Sequence, residues 1–272
     1  MIRPNPYVPQ NAVLEDVIVE TPTIKTFVIR PEKPIPFRAG QFVQLTVPGI
    51  GEAPFTPSSA PSRPDRLEIT VLKTGRVTDA LHALAPGALL GVRGPYGKGY
   101  PLDKLRGHEV LLVGGGVGLA PLRALIYALF EDISAYRRVS IKYGARNPEE
   151  LLYRRQYDDW RGMPGVDMDV TVDVATDGWS GKVGVVTTLL EQPDFDVENG
   201  YVISCGPGIM LRFVTHRCLE IGYKPSQIYL SMNLRMSCGI GRCGRCNIGP
   251  YYLCKDGPDM CYEKIKDYPN VF

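Results

Sequence analysis

Four cysteines crowd into one short stretch near the end of the chain. Cys238, Cys243, Cys246 and Cys254 span 17 residues in a C-x4-C-x2-C-x7-C pattern. Thiolates this close together can surround one metal centre but are poorly placed for a long-range disulfide framework. The C-x4-C-x2-C interval suits a [2Fe–2S] cluster, because small residues between the ligands let backbone N–H groups curl towards the sulfurs. The rival is a structural zinc site, which usually shows two short C-x2-C knuckles on separate arms. A [2Fe–2S] cluster moves single electrons, so that reading requires the remaining residues to contain their source.

Two other stretches have the residue types for phosphate and cofactor chemistry. His108 to Val113 is a continuous apolar run of the kind found in a parallel strand covered on both faces. It leads through Gly114, Gly115, Gly116 and Gly118 to Ala120 and Pro121, and then into the helical pattern Leu122–Phe130. A strand whose glycines open a helix is the arrangement that cradles a dinucleotide phosphate. The glycines depart from G-x-G-x-x-G, since Leu119 occupies the last position. Further on, the strand Tyr201–Ser204 runs into Cys205, Gly206 and Pro207. That turn lies at a strand's C-terminal end, where open α/β sheets bind ligands.

The elements that must hold these residues fall into two patterns. From residue 11 to 100, short β-rich runs are broken by proline and glycine: Ala12–Glu20, Ile24–Ile29, Phe42–Val47, Leu67–Val71 and Leu89–Arg93. Their alternation predicts a small antiparallel barrel or sandwich, with Thr78–Leu84 its one helix. From Asp103 onward strands and helices alternate: strands at Val139–Tyr143, Asp169–Ala175 and Ile228–Leu230, and helices starting at Asn147, at Val183 (to Gln192) and after Met210 (to Ile221). This order predicts right-handed βαβ crossovers and a doubly wound sheet. The expected division is therefore a barrel over 1–102, an α/β domain over 103–230 and a cysteine-bearing segment over 231–272.

Bulk properties exclude several classes. The chain has 272 residues, 44% hydrophobic and 22% charged, enough for two domains with real cores. A net charge of +2 gives no reason to expect nucleic acid or an anionic membrane as partner. The start, from Met1 to Tyr7, lacks the apolar region of a signal peptide, and the odd total of seven cysteines fits a reducing compartment, so a cytoplasmic location is expected. The apolar stretch Val110–Phe130 is about membrane length but is interrupted by glycines, Pro121 and Arg123, so no membrane span is expected.

Three local patterns in the first hundred residues are not demanded by a barrel: Phe37-Arg-Ala-Gly40-Gln41-Phe42, Ala53-Pro54-Phe55-Thr56-Pro57-Ser58, and Lys73-Thr-Gly75-Arg76-Val77-Thr78, followed by Gly94-Pro95-Tyr96-Gly97. In this order they resemble the FAD-binding barrel of the ferredoxin–NADP reductase superfamily, and the glycine turn and Cys205-Gly206-Pro207 resemble its nucleotide domain. The resemblance implies that Phe55 packs against the flavin and Thr56 hydrogen-bonds near its N5, with Pro57 and Ser58 continuing along the cofactor. It implies a pyrophosphate held by Gly75, Arg76, Val77 and Thr78. It also places Cys205 beside the carbon of NAD(P)H that gives up hydride, making Thr56 and Cys205 the residues nearest the reaction. Ala53 stands where the family's motif has arginine, which leaves Arg76 to neutralise the pyrophosphate. Arg146, with Arg154 and Arg155 behind it, leans towards NADP(H) over NAD(H), because arginine suits a 2′-phosphate.

With its cysteine tail, the chain resembles the superfamily's iron–sulfur electron-transfer subunits, above all the γ subunit of NAD(P)-linked nickel–iron hydrogenases (sulfhydrogenases). After Pro258 that type usually has Val-Phe, whereas Asp259 and Met260 stand here. The implied activity is electron transfer between NAD(P)H, FAD and a [2Fe–2S] cluster, on to a larger catalytic redox subunit in a hetero-oligomer. Alternatives are the corresponding subunit of dihydroorotate dehydrogenase or sulfite reductase, a free-standing NAD(P)H:acceptor reductase, and a zinc-stabilised interaction module without enzymatic activity.

Overall fold

A computed structural model describes residues 5–191, 194–269 and 271–272. The expectation about the chain's start rests partly on residues 1–4, which lie outside the described residues, as does Gln192 at the end of an expected helix.

The first layer is an antiparallel sheet of six strands: β1 (Gln10–Val19), β2 (Ile24–Pro31), β3 (Phe42–Val47), β4 (Gly51–Phe55), β5 (Leu67–Leu72) and β6 (Leu89–Tyr96), with helix α1 (Arg76–His82) between the last two. Its order is β4-β3-β6-β1-β2-β5. Alternate residues such as Phe27 and Ile29, Val43 and Leu45, and Leu67 and Ile69 are buried in one core, as period-two patterning requires. No ladder joins the edge strands β4 and β5 among the described residues. Their ends meet instead through Ser58 and Ser59: the Ser58 N–H donates to the Glu68 carbonyl at 2.7 Å, and the Glu68 N–H to the Ser59 hydroxyl at 3.1 Å. Strand β4 was not expected; proline and short length hide it in the sequence.

After the short helix α2 (Leu102–Leu105) come β7 (Glu109–Gly115), α3 (Leu119–Phe130), β8 (Arg138–Ala145), α4 (Tyr157–Arg161), β9 (Val166–Val172), β10 (Lys182–Val183), β11 (Gly200–Cys205), α5 (Gly208–Glu220) and β12 (Ile228–Ser231). The sheet order β10-β9-β8-β7-β11-β12-β15 is parallel but for its last strand, and the winding reverses between β7 and β11. That last strand, β15 (Asp259–Cys261), follows the cysteines and runs antiparallel to β12, so the C-terminal segment is stitched into the nucleotide-domain sheet. It also carries the hairpin β13 (Asn247–Ile248) and β14 (Tyr251–Tyr252), and helices α6 (Leu253–Asp256) and α7 (Tyr262–Ile265).

Two expected helices do not form. After Asn147 there is only one 3-10 turn, Pro148–Glu150, although the Asn147 side chain does accept from the Glu150 N–H at 3.0 Å. The Glu150 carboxylate does not reach back as in a capping box; it accepts from the hydroxyls of Thr21 and Thr23 on the barrel. Tertiary partners have overridden the local signal. The stretch from Val183 gives a two-residue strand and a 3-10 segment, Val186–Leu190. Its β-branched run crowds a helix, and the Thr188 hydroxyl donates to the Val185 carbonyl at 2.8 Å.

Candidate functional site

The two turns singled out from the sequence face each other across the point where the sheet order reverses. The first leaves β7 through a 3-10 turn at Gly116–Gly118 and enters α3; the second leaves β11 at Cys205 and enters α5. A Cβ on Gly118 would lie 2.2 Å from the Cys205 carbonyl oxygen, so only glycine lets the turns close on each other. Gly115 and Gly206 both lie against Met210 at the start of α5. Gly114 packs near Leu122 and Tyr143, Ala120 is buried, and Pro121 occupies the first turn of α3. Strand β5 of the barrel contacts the Gly116–Gly118 turn, which sets the glycine turn at the junction of the two layers.

On the barrel, Phe55 ends β4 opposite Val43 and is partly buried with Thr56. Pro57 and Ser58 are buried, and the Ser58 hydroxyl is engaged by Thr70 at 2.9 Å and by the Glu68 carbonyl. Helix α1 lies beside β4, with Val77 against Gly51. At its start the Thr78 hydroxyl accepts from the N–H groups of Thr74 and Gly75 and donates to the Gly75 carbonyl, while Arg76 is exposed. Arg146 is exposed beside Asp173, whereas Arg155 is committed elsewhere: both its terminal nitrogens donate to Glu20 at 2.9 Å.

Barrel and nucleotide domain are locked together through buried polar groups. Arg123 of α3 pairs with Glu68, donates to the Ser58 carbonyl at 3.3 Å, and lies over the Tyr153 ring at 4.5 Å. Tyr153, fully buried in the left-handed region (φ 59°), places its hydroxyl 2.6 Å from that of Thr70. Nothing in the sequence singled out Glu68, Thr70 or Tyr153, or paired Arg123 with Ser58; only the docking of two distant segments gives them partners.

A second missed cluster surrounds Cys205. The Ser231 hydroxyl donates to Asp259 at 2.6 Å and lies 2.9 Å from the Tyr100 hydroxyl, while the other Asp259 oxygen is buried without a partner. Burial pushes the Asp259 carboxyl up to about 8, against the hydrogen bond from Ser231. Burial, reinforced by Asp259, pushes the Cys205 thiol up to about 12, so this sulfur is a neutral thiol. The unusual residue after Pro258 was the sequence signal for this cluster.

The cysteine loop sits against the barrel. Gly239 (φ +77°) lies over the Tyr96 ring, where a Cβ would approach to 2.8 Å. Arg93 of β6 donates to the carbonyls of Cys238 and Ser237, and the buried Gln44 amide donates to the Met236 carbonyl at 2.7 Å. Within the loop the Ile240 and Arg242 N–H groups point at the Cys238 sulfur at 3.4 and 3.3 Å, and the Gly241 N–H at the Cys254 sulfur at 3.1 Å. The Cys243 thiol acts on Cys238, and both Cys246 and Cys238 act on Cys254. Among the described residues no three His, Cys, Asp or Glu side chains converge on a single-ion site. Burial alone would raise the Cys238 thiol, but the backbone N–H groups and the Cys243 thiol bring it down to about 6. Burial, with Cys246 adjacent, pushes Cys254 up to about 12. Cys238, Cys246 and Cys254 are buried and Cys243 is exposed.

Comparison with known proteins defines the class. Residues 13–100 match the oxidoreductase FAD-binding domain and residues 112–216 the oxidoreductase NAD-binding domain. The chain belongs to the ferredoxin–NADP reductase family of FAD- and NAD-binding oxidoreductases. It is similar to sulfhydrogenase 1 subunit gamma of Pyrococcus furiosus, with 34% identity over all of this chain and 97% of that protein. It is also similar to a probable dihydroorotate dehydrogenase B (NAD(+)) electron transfer subunit of Pyrococcus abyssi, with 39% identity over 86% of this chain and 83% of that one. Among solved structures, one described as an NADH-dependent reduced ferredoxin-NADP oxidoreductase in flavin-based electron bifurcation shares the fold, with TM-score 0.75 and 24% identity over 99% of this chain and 95% of that one. No helix among the described residues is long and apolar enough to cross a membrane.

Proposed function

We propose that this oxidoreductase is an electron-transfer subunit that carries reducing equivalents between NAD(P)H and a larger redox partner, by way of FAD and a [2Fe–2S] cluster. The observation that carries the reading is the docking of the cysteine loop on β6 through Arg93 and Tyr96, which joins it to the flavin barrel. When bound, FAD accepts a hydride and returns its electrons singly, and a [2Fe–2S] cluster passes them on one at a time. The chain's own part is to hold these groups in line. Phe55, Thr56, Pro57 and Ser58 line the flavin, with Thr56 nearest the reacting atoms. Gly75, Arg76, Val77 and Thr78 receive the pyrophosphate. The turns Gly114–Gly118 with Ala120 and Pro121, and Cys205–Pro207, hold NAD(P)H at the reversal point, where the neutral Cys205 thiol packs without adding charge. Arg146 is the residue offered to a 2′-phosphate.

Cys238, Cys243, Cys246 and Cys254 hold the cluster. The C-x4-C-x2-C spacing suits two irons better than one tetrahedral zinc, and the inward N–H groups suit sulfur acceptors. The likeness to sulfhydrogenase γ subunits over the whole chain favours a hydrogenase-type partner in a cytoplasmic hetero-oligomer. The division 1–102, 103–230 and 231–272 then follows function: flavin, nucleotide, exit.

Iron, acid-labile sulfide and flavin analysis of the purified chain tests the reading. Two irons, two sulfides and one FAD per chain, with dye reduction by NADPH or NADH, are expected. Zinc without flavin sinks it. Co-purification from native cells then identifies the large subunit.

A further inference from the structure

We propose that the face around Cys243 is a docking surface for an acidic protein, and that single electrons leave the chain there; this rests on the iron–sulfur reading above. Of the four loop thiols only Cys243 is exposed, so the cluster's edge meets solvent at that residue. The segment that carries it has one sign of charge. Residues 233–255 contain Arg235, Arg242, Arg245 and Lys255 and no aspartate or glutamate, four positive charges in a chain whose net charge is +2. All four are exposed.

The fold gathers three of these cations, Arg242, Arg245 and Lys255, around the loop. Lys255 lies across Gly241, with its side chain 3.3 Å from where a Cβ would stand. Arg245 reaches back to the Ser237 hydroxyl at 3.4 Å, and Arg242 adjoins Cys243. None of the four has a carboxylate partner among the described residues. The next acid along the chain, Asp256, accepts from the Tyr252 N–H and stands 3.8 Å from Lys98. A rim of unpaired cations is the arrangement that steers an oppositely charged protein into register and raises its association rate. Half-buried Ile240, Tyr251 and Tyr252 add the mixed apolar and arginine-rich character typical of protein contacts. A nucleic acid would need a basic surface extending well beyond one loop, and the rest of the chain is slightly acidic.

The test uses the full chain loaded with FAD and cluster. It follows NAD(P)H-driven reduction of two one-electron acceptors, an acidic rubredoxin and a basic cytochrome c. Each NAD(P)H gives up two electrons and one proton, so two acceptor molecules are reduced per NAD(P)+ formed and one proton is released. Rubredoxin reduction should be the faster at low salt and should fall roughly tenfold or more as salt rises from about 20 to about 300 mM. Arg245→Glu with Lys255→Glu should slow it roughly tenfold and speed cytochrome c, with flavin reduction by NAD(P)H unchanged. The milder pair Arg245→Gln with Lys255→Gln should fall between, which guards against a folding defect in the first. Equal rates in all variants, or faster cytochrome c reduction by the native chain, overturns the surface while leaving the iron–sulfur reading intact. So does co-sedimentation with phosphatidylserine vesicles that abolishes the rubredoxin reaction, which would make the patch a lipid contact. A flavin-loaded chain without iron and sulfide overturns both.

Discussion

Arg93 of strand β6 donates to the main-chain carbonyl of Cys238 at 2.8 Å. A residue of the flavin barrel thereby grips the first cysteine of the loop, 145 positions further along the chain. The same guanidinium pairs with Glu52, donates to the Tyr96 hydroxyl at 3.0 Å and reaches the Ser237 carbonyl, so its fork is fully used. Only 5% of its side chain is exposed.

Removing that grip should be costly. Arg93→Ala leaves Glu52 and two carbonyls without their donor and should destabilise the fold by about 3 kcal/mol. Arg93→Lys keeps the charge but loses the fork, and should recover less than half of the loss. Denaturant unfolding checks both, with the ellipticity of the loaded loop as a second readout.

Tyr153→Phe removes one hydroxyl between the two domains. Thr70 then loses a buried partner, and a loss of about 1–2 kcal/mol is expected. Arg123→Ala at the same junction should cost more, about 3 kcal/mol, because it strands Glu68 and the Ser58 carbonyl. Thermal unfolding that leaves both variants at the native midpoint would dismiss the lock.

Asp259 should tie stability to pH. In the unfolded chain it releases its proton near pH 4; in the fold burial holds that proton up to about 8. Folding therefore takes up a proton between those values. The contribution is fully present below about pH 4 and is lost as pH rises through about 8, by up to ~1.4 kcal/mol per unit. Asp259→Asn, which keeps the shape and the Ser231 hydrogen bond, should flatten this slope and exceed the native chain in stability at pH 8 by a few kcal/mol. Urea midpoints at pH 5, 6.5 and 8 decide it.

Cys243→Ser should stop transfer to the partner while leaving flavin reduction by NAD(P)H nearly intact. Stopped-flow absorbance separates the two steps, and failure of flavin reduction in a folded, FAD-loaded variant would reverse the proposed order of carriers.

Arg146→Ala should raise the KM for NADPH about tenfold or more and that for NADH little, if Arg146 meets a 2′-phosphate. Equal changes for both would remove the case for phosphate recognition.

Sequence alone determined whatever depends on neighbours along the chain. The period-two strands of the barrel, the apolar β7 running into glycines, the Cys205 turn and the spacing of four thiols are local patterns, and local physics dictates them. It missed β4 and expected helices after Asn147 and Val183, because proline, a Glu150 carboxylate drawn to Thr21 and Thr23, and a β-branched run outweighed the helical signal there. Tertiary structure alone decided the rest. Only folding could bring Arg93 to Cys238, Arg123 to Ser58, Tyr153 to Thr70, and Asp259 to Cys205, and only folding could leave Cys243 as the exposed thiol of the four. Buried polar groups take whatever partners the packing supplies, and residues so far apart along the chain leave no periodicity to announce that they will meet.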